Sequence, residues 1–121
     1  NFGEADISII RVADIYLMRA EAKLRKGDAA GALVDVNTVR MSRIAYTVKP
    51  TPLATINLDL LFRERGFEFY WEMNRRTDMI RFGKFENKWG FKTNADTYRR
   101  IFPIPRNALQ LNPSLKQNPG Y

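Results

Sequence analysis

The fold of this chain is decided by residues 64–81, which read ERGFEFYWEMNRRTDMIR. In this stretch Glu64, Glu68 and Glu72 follow one another at intervals of four residues. Side chains at that spacing lie on one face of an α-helix, and the pattern predicts a helix over residues 58–74. The chain is therefore expected to be built from helices.

Arginines stand close to these carboxylates in the sequence. Arg65 lies three positions before Glu68, and Arg75 lies three positions after Glu72. A neighbouring arginine lowers the pKa of a carboxyl group, whereas the general acid of a glycosidase needs a raised pKa. We interpret the set as a structural ion network and not as a catalytic pair. It comprises Glu64, Arg65, Glu68, Glu72, Arg75, Asp78 and Arg81.

Aromatic residues are interleaved with these charges along the same helix. They would suit a sugar-stacking platform, but aromatic rings at helical spacing more often belong to a core. We therefore predict Phe62, Phe69 and Met73 as a core stripe and Trp71 as more exposed.

Two amphipathic helices precede this region. Apolar spacing predicts the first over residues 7–25, with Asp6 as its N-cap, and the second over residues 29–43. Gly27 supplies a left-handed stop, and Asp28 can cap the second helix. So short a turn makes an antiparallel hairpin that resembles one tetratricopeptide unit. The apolar stripe of the first helix comprises Ile9, Ala13, Tyr16, Leu17, Ala20 and Leu24.

The rest of the chain is less regular. Residues 44–57 form a linker with two prolines, residues 76–82 a short fourth helix, and residues 84–121 a loop-rich tail. Within the tail, residues 102–105 (Phe-Pro-Ile-Pro) are expected to be extended, and residues 106–111 to form a short helix. No segment alternates convincingly as a strand. The predicted class is all-α: a tetratricopeptide-like helical hairpin, further helices and a long irregular C-terminal segment.

Cysteine and histidine are both absent from the sequence. The chain thus lacks the commonest general base, the commonest metal ligand and the partner of most activated nucleophiles. We predict no enzyme, no catalytic residue, no metal site and no cofactor.

The formal net charge is +7, and most of the excess lies in residues 61–121, with twelve Lys and Arg against six Asp and Glu. These cations are dispersed and never exceed two in a row, which is typical of a solvated face and not of a phosphate footprint. Nucleic acid is therefore not predicted as a partner.

No apolar run approaches the length of a membrane span.

Three aromatic residues of the tail have no helical reason to be buried: Trp89, Phe91 and Tyr98. Flat rings flanked by Lys88, Asn94 and Arg99 suit stacking and hydrogen bonding to a sugar. The other interpretation, which we favour, is that they pin the loop to the body of the protein. They stay as weak candidates for ligand binding.

Three stretches, in this order, resemble the C-terminal part of the SusD/RagB family. The first is residues 11–22, RVADIYLMRAEA, with the Gly27-Asp28 turn and the second helix after it, and the second is the charged stretch 64–81. The third is the Phe-Pro-Ile-Pro segment followed by residues 112–121, NPSLKQNPGY. Members usually carry Arg where this chain has Gly66, Gly where it has Met73, and often an acidic residue where it has Ala108.

The resemblance implies a surface-exposed lipoprotein of the bacterial outer membrane that captures oligosaccharides, polysaccharides or other nutrients. It also implies a partner, a TonB-dependent barrel of the SusC type, to which the ligand is delivered. Members are several times longer than this chain, so residues 1–121 are expected to be a C-terminal part, and the lipid-bearing Cys is not among them. A second hypothesis, from another class, is a tetratricopeptide-like module that binds a partner protein.

Overall fold

The computed structural model describes residues 9–43 and 50–121. In these ranges the chain forms helices and turns without a β-strand, so the predicted all-α class is confirmed. The elements are α1 Val12–Arg25, α2 Ala29–Met41, α3 Leu58–Glu68, α4 Arg75–Arg81, a 3-10 turn Thr97–Arg100 and α5 Arg106–Leu111. None of these helices is long and apolar enough to cross a membrane.

The chain divides into two compact units, unit 1 (Asn1–Arg75) and unit 2 (Arg76–Tyr121). In unit 1 the core lies where α1 packs against α2 and α3. Ala20 and Ala32 are completely buried, and their small side chains allow close approach of the helices. Burying a leucine such as Leu17 or Leu61 contributes about 1.5–3 kcal/mol. The buried apolar residues are Leu17, Ala20, Ala32, Val36, Val39, Ile56, Leu61 and Phe69.

The turn between α1 and α2 is made by Gly27 and Asp28. Gly27 has a φ of 87°, a left-handed conformation that glycine adopts at little cost. Its amide donates to the Leu24 carbonyl at 3.1 Å, and the Asp28 amide donates to the Lys23 carbonyl at 2.9 Å, which closes the end of α1 as a Schellman motif. The Asp28 carboxylate accepts from the Gly31 amide at 2.7 Å and caps α2.

The first helix begins later than the apolar pattern predicted. α1 starts at Val12, and Arg11 before it has an extended backbone with φ −116° and ψ 156°. Ile9 lies in a bend and is 89% exposed, so its assignment to the apolar stripe of the first helix was wrong. The predicted N-cap, Asp6, lies outside the described residues.

The third helix ends at Glu68 and not at residue 74. Trp71 and Met73 follow it with φ values of 67° and 60°, and a right-handed helix cannot continue through such residues. Met73 is 94% exposed, so its place in the predicted core stripe was also wrong, whereas Phe69 is buried.

The other helix boundaries differ little from the prediction. α2 ends at Met41, two residues early, and α4 runs Arg75–Arg81 where residues 76–82 were expected. Differences of one or two residues are ordinary at frayed helix ends. The bounds of α5 are as predicted.

The end of the linker is fastened to α2 by hydrogen bonds from side chains of that helix, among them Asn37. The amide nitrogen of Asn37 donates to the Leu53 carbonyl at 3.0 Å, and its oxygen accepts from the Leu53 amide at 2.8 Å. Both backbone polar groups of Leu53 are thereby satisfied without regular structure. Ile56 is buried shortly afterwards in the chain.

Unit 2 is fastened in the same manner by its C-terminal residues. The Gln117 side chain accepts from the Ile104 amide at 2.8 Å and donates to the Ile104 carbonyl at 3.0 Å. The Asn118 side-chain amide donates to the Phe102 carbonyl at 2.7 Å. The C-terminal residues are therefore hydrogen-bonded to the Phe-Pro-Ile-Pro segment, and these bonds fix its extended backbone.

Candidate functional site

The carboxylates of α3 and the turn after it take arginine partners from outside that helix. Arg11 donates to Glu68 at 2.9 Å and, through two nitrogens, to Glu72 at 2.8 Å. Arg43, at the end of the hairpin, also bonds to Glu68. The ring of Phe69 lies 5.1 Å from the Arg11 guanidinium, close enough for a cation–π contact.

Two further ion pairs join unit 1 across its helices. Arg40 of α2 donates to Glu64 of α3 at 2.7 Å, and Arg65 of α3 donates to Asp14 of α1 at 2.9 Å. Arg65 is buried, and its guanidinium lies 5.0 Å from the Phe69 ring. A buried charge of this kind is tolerated only when it is paired.

The remaining network residues lie in α4. Arg75 stacks 3.6 Å from the Phe62 ring and donates to the Phe62 carbonyl at 2.9 Å. A side chain at Gly66 would meet this guanidinium at 2.8 Å, so the glycine inside α3 leaves room for the arginine. In unit 2, Asp78 is buried and accepts from Arg81 at 2.8 Å, one helical turn away.

A cavity of about 210 Å³ in unit 1 is lined by Arg40, Arg43, Glu64 and Glu68 beside apolar side chains. Among the described residues, one carboxylate oxygen of Glu64 is buried without a hydrogen bond, and the Arg63 guanidinium lies 3.8 Å from it. Burial raises the pKa of Glu68, but hydrogen bonds from Arg43 and Arg11 outweigh burial, and the pKa lies below its ordinary value. Glu68 is therefore unsuited to act as a general acid near neutral pH.

The loop aromatics of unit 2 are divided between two places. Trp89 and Lys92 exchange two backbone hydrogen bonds, of 3.2 Å and 2.8 Å, across a tight turn in which Gly90 has a φ of 49°. Trp89 is 58% exposed on this turn, and Phe91 is fully exposed. Tyr98 instead packs edge-to-face with Tyr121, with the ring centroids 5.0 Å apart.

Unit 2 also contains a cavity of about 400 Å³. Its wall combines aromatic rings with charged and amide groups, namely Arg76, Phe85, Lys92, Asn94, Asp96, Arg99, Phe102, Pro103 and Tyr121. Pockets that hold small ligands have this size and this mixture of apolar surface with a few polar groups. Among the residues that the structure describes, no cluster of carboxylates could hold a metal ion.

Asn94 and Arg99, which the sequence indicated beside the loop aromatics, line this cavity, but Phe102 and Tyr121 were missed. The Phe-Pro-Ile-Pro segment could have indicated Phe102, because the proline directly after this aromatic residue holds its backbone extended. In unit 1, Arg11 and Arg43 were missed as partners of Glu68, since pairs so distant in the chain leave no periodic pattern.

The family model described as the SusD family matches residues 1–121. The starch-binding protein SusD of Bacteroides thetaiotaomicron is 38% identical over 130 aligned residues, covering 99% of this chain and 22% of that protein. The SusD-like protein P25 of Formosa agariphila is 33% identical, covering 99% of this chain and 26% of that protein. A second protein of that organism, SusD-like protein P38, is 29% identical and is covered over 25% of its length. The chain thus spans about a quarter of the length of these relatives.

Proposed function

Because this chain belongs to the SusD family, we propose that it is part of a protein that captures glycans and catalyses no reaction on them. The match of the family model to the whole chain carries this proposal, together with a relative named as a starch-binding protein. Other nutrients could serve such a protein as ligands, but the exposed aromatics favour sugars.

The turn of unit 2 supports binding. Trp89 and Phe91 present ring surface to solvent from a turn that is closed by backbone hydrogen bonds. The Lys92 ammonium tightens it by donating to the Asn87 carbonyl at 3.1 Å and the Asn94 carbonyl at 2.8 Å. Because the backbone of the turn is already fixed, binding need not order it when a sugar stacks on these rings.

The ion pairs support the absence of catalysis. Cleavage of a glycosidic bond needs one carboxyl group with a raised pKa as the acid and a second, ionised one as the base or nucleophile, whereas Glu64, Glu68 and Glu72 are each paired with an arginine. Histidine and cysteine, which serve many other enzymes as base and nucleophile, do not occur in the chain.

We further propose that the protein works at the surface of the bacterial outer membrane, held there by a lipid. It would deliver its glycan to a TonB-dependent barrel of the SusC type. Both statements rest on the family, and co-purification of the natural protein with such a barrel from detergent-solubilised membranes is the measurement that tests them.

The binding proposal is tested by affinity electrophoresis of the full-length natural protein in gels that contain starch or another polysaccharide. We expect retarded migration in at least one gel and no release of reducing sugar from any polysaccharide. Release of reducing sugar by the pure protein would contradict the non-catalytic part, and unretarded migration in every gel would contradict the binding part.

The same gels test whether the turn contributes. Trp89→Ala and Phe91→Ala should each weaken binding by about threefold to tenfold, the value of one lost stacking contact. Trp71→Ala is the matched control, because Trp71 is an exposed tryptophan that follows α3 and does not belong to this turn. If Trp71→Ala weakens binding as much as Trp89→Ala, the turn has no special role.

A second candidate function is a protein-interaction module built on the helical hairpin. It is favoured by an apolar stripe on the outer face of α1, where Val12, Ile15 and Met18 are exposed. Co-purification with a soluble protein and without a membrane barrel would support this candidate and contradict delivery to a transporter.

A further inference from the structure

We propose that the cavity of unit 2 binds an acidic sugar, that is, a pyranose ring that carries a carboxylate or a sulfate ester. The inference rests on the proposed glycan capture and names the ligand class and the residues that select it. Four features of the cavity carry it: its charge, its unused donors, its aromatic wall and its rigidity.

The charge of the cavity favours an anion. Among the described side chains that line it, Arg76, Lys92 and Arg99 are positive and Asp96 is negative, which leaves an excess of two positive charges. Unit 2 as a whole has nine Lys and Arg against three Asp and Glu. A concave surface with one sign of charge concentrates ligands of the opposite sign.

Donors remain available in the cavity. Arg99 uses its Nε to bond Asp96 at 2.8 Å, and the described residues show no hydrogen bond from its two terminal nitrogens. Lys92 uses two of its three donors on backbone carbonyls. Arg99 can therefore present a pair of N–H groups to a carboxylate or sulfate, and Lys92 a single charged donor.

The aromatic wall suits the apolar face of a sugar ring. Phe102 is 70% exposed, and the Arg76 guanidinium lies 4.2 Å from its ring and 4.9 Å from the ring of Phe85. Arg76 also donates to the Arg99 carbonyl at 2.7 Å. It therefore supports the wall and fixes the backbone that carries Arg99.

The cavity is rigid on the side of the tail. The Tyr121 hydroxyl donates to the Ile101 carbonyl at 2.7 Å, and the Gln117 and Asn118 bonds hold the segment that follows. These bonds fasten the backbone of the segment, so less of the binding free energy would be lost in ordering that segment when a ligand binds.

The combination points to an acidic sugar and not to simpler ligands. An inorganic anion would leave the aromatic wall unused, and a neutral sugar would leave the excess positive charge uncompensated. Asn94 and Asp96 add an amide and a carboxylate, which pair with sugar hydroxyls.

The test uses calorimetry on the full-length natural protein at constant ionic strength, because charge interactions weaken with salt. The probes are a digalacturonate, a sulfated galactan disaccharide, a neutral maltooligosaccharide and a single-stranded oligonucleotide. We expect at least one acidic sugar to bind more tightly than the neutral one, and the better of the two identifies the anionic group.

Arg99→Gln should weaken binding of that acidic sugar by about tenfold, the value of one lost charge-assisted contact. Arg100→Gln is the matched control: it removes the same charge from the next residue, an arginine of similar exposure that pairs with Glu86 outside the cavity. Arg100→Gln should leave the affinity within about twofold of the natural value.

Equal weakening by both substitutions would show a general charge effect and overturn the site. Preference for the neutral sugar or the oligonucleotide would also overturn it. Neutral binding with no acidic binding removes this inference but keeps glycan capture, whereas failure of every sugar removes both.

Discussion

Met73 has an unfavourable backbone conformation without any compensating burial of its side chain. Its φ of 60° is left-handed, and its side chain is 94% exposed. A residue with a Cβ in this region costs about 1–2 kcal/mol relative to glycine. Glycine, which has no Cβ, would adopt this conformation at little cost.

Met73→Gly should raise the free energy of unfolding by about 0.5–1 kcal/mol, because relief of the left-handed strain exceeds the extra chain entropy of glycine in the unfolded state. Urea unfolding of the protein and its variants measures the change. Met73→Ala keeps the Cβ and should show no such gain. A loss of stability in Met73→Gly would mean that the exposed side chain contributes.

At the scale of single residues, residue type and spacing predicted the role of a charged residue and its position on the helix, but not its ion-pair partner. The sequence indicated that Glu68 and Glu72 would be paired with arginine. It could not indicate Arg11, which is 57 and 61 positions away, because that pairing depends on how the helices pack.

At the scale of elements, Asn37 and Gln117 use one device in two places. Each side-chain amide pairs with both backbone groups of a residue in an irregular segment, Leu53 in one case and Ile104 in the other. A proline-rich segment has few backbone partners of its own, and the amide replaces them.

Asn37→Ala should lower the free energy of unfolding by about 2–3 kcal/mol, because two hydrogen bonds are lost and the polar groups of Leu53 are left unpaired. Thermal unfolding followed by circular dichroism measures the loss. Asn37→Asp keeps the acceptor for the Leu53 amide but loses the donor to its carbonyl, so its stability should fall between those of Asn37→Ala and the natural protein. An Asn37→Ala variant as stable as the natural protein would show that this contact contributes nothing.

Apolar spacing and the glycine stop predicted the hairpin, and the position of Pro105 predicted α5, because these signals depend on local sequence. The end of α3 was missed, since an acidic and aromatic pattern continues through Trp71 and Met73 although their backbone has left the helix. The cavity of unit 2 was missed except for Asn94 and Arg99, because it forms only when the tail folds back onto the Phe-Pro-Ile-Pro segment.

At the scale of the whole molecule, paired carboxylates determine how stability responds to acid. A hydrogen bond from Arg19 is the main cause that lowers the pKa of Asp35, against the opposite effect of burial. For Glu68, burial raises the pKa, but the bonds from Arg43 and Arg11 lower it further. Both groups bind protons less readily in the folded chain than in the unfolded one.

A group with a lowered folded pKa stabilises the fold above its unfolded pKa, about 4 for these side chains, and this contribution disappears as the pH falls through the lower folded value. We therefore expect the free energy of unfolding to decrease as the pH is lowered below about 5. Urea titrations at successive pH values measure the slope. Glu68→Gln should be less stable at pH 7 and show a shallower slope, and an unchanged slope in that variant would contradict the assignment.

The exposure of both tryptophans has a practical consequence for spectroscopy. Trp71 and Trp89 are the only indoles in these residues, and neither is buried. Their emission should already resemble that of indole in water, so unfolding of the helical core will change it little. A glycan that covers the ring of Trp89 would shift that emission to the blue, which makes this side chain an intrinsic fluorophore for ligand titrations.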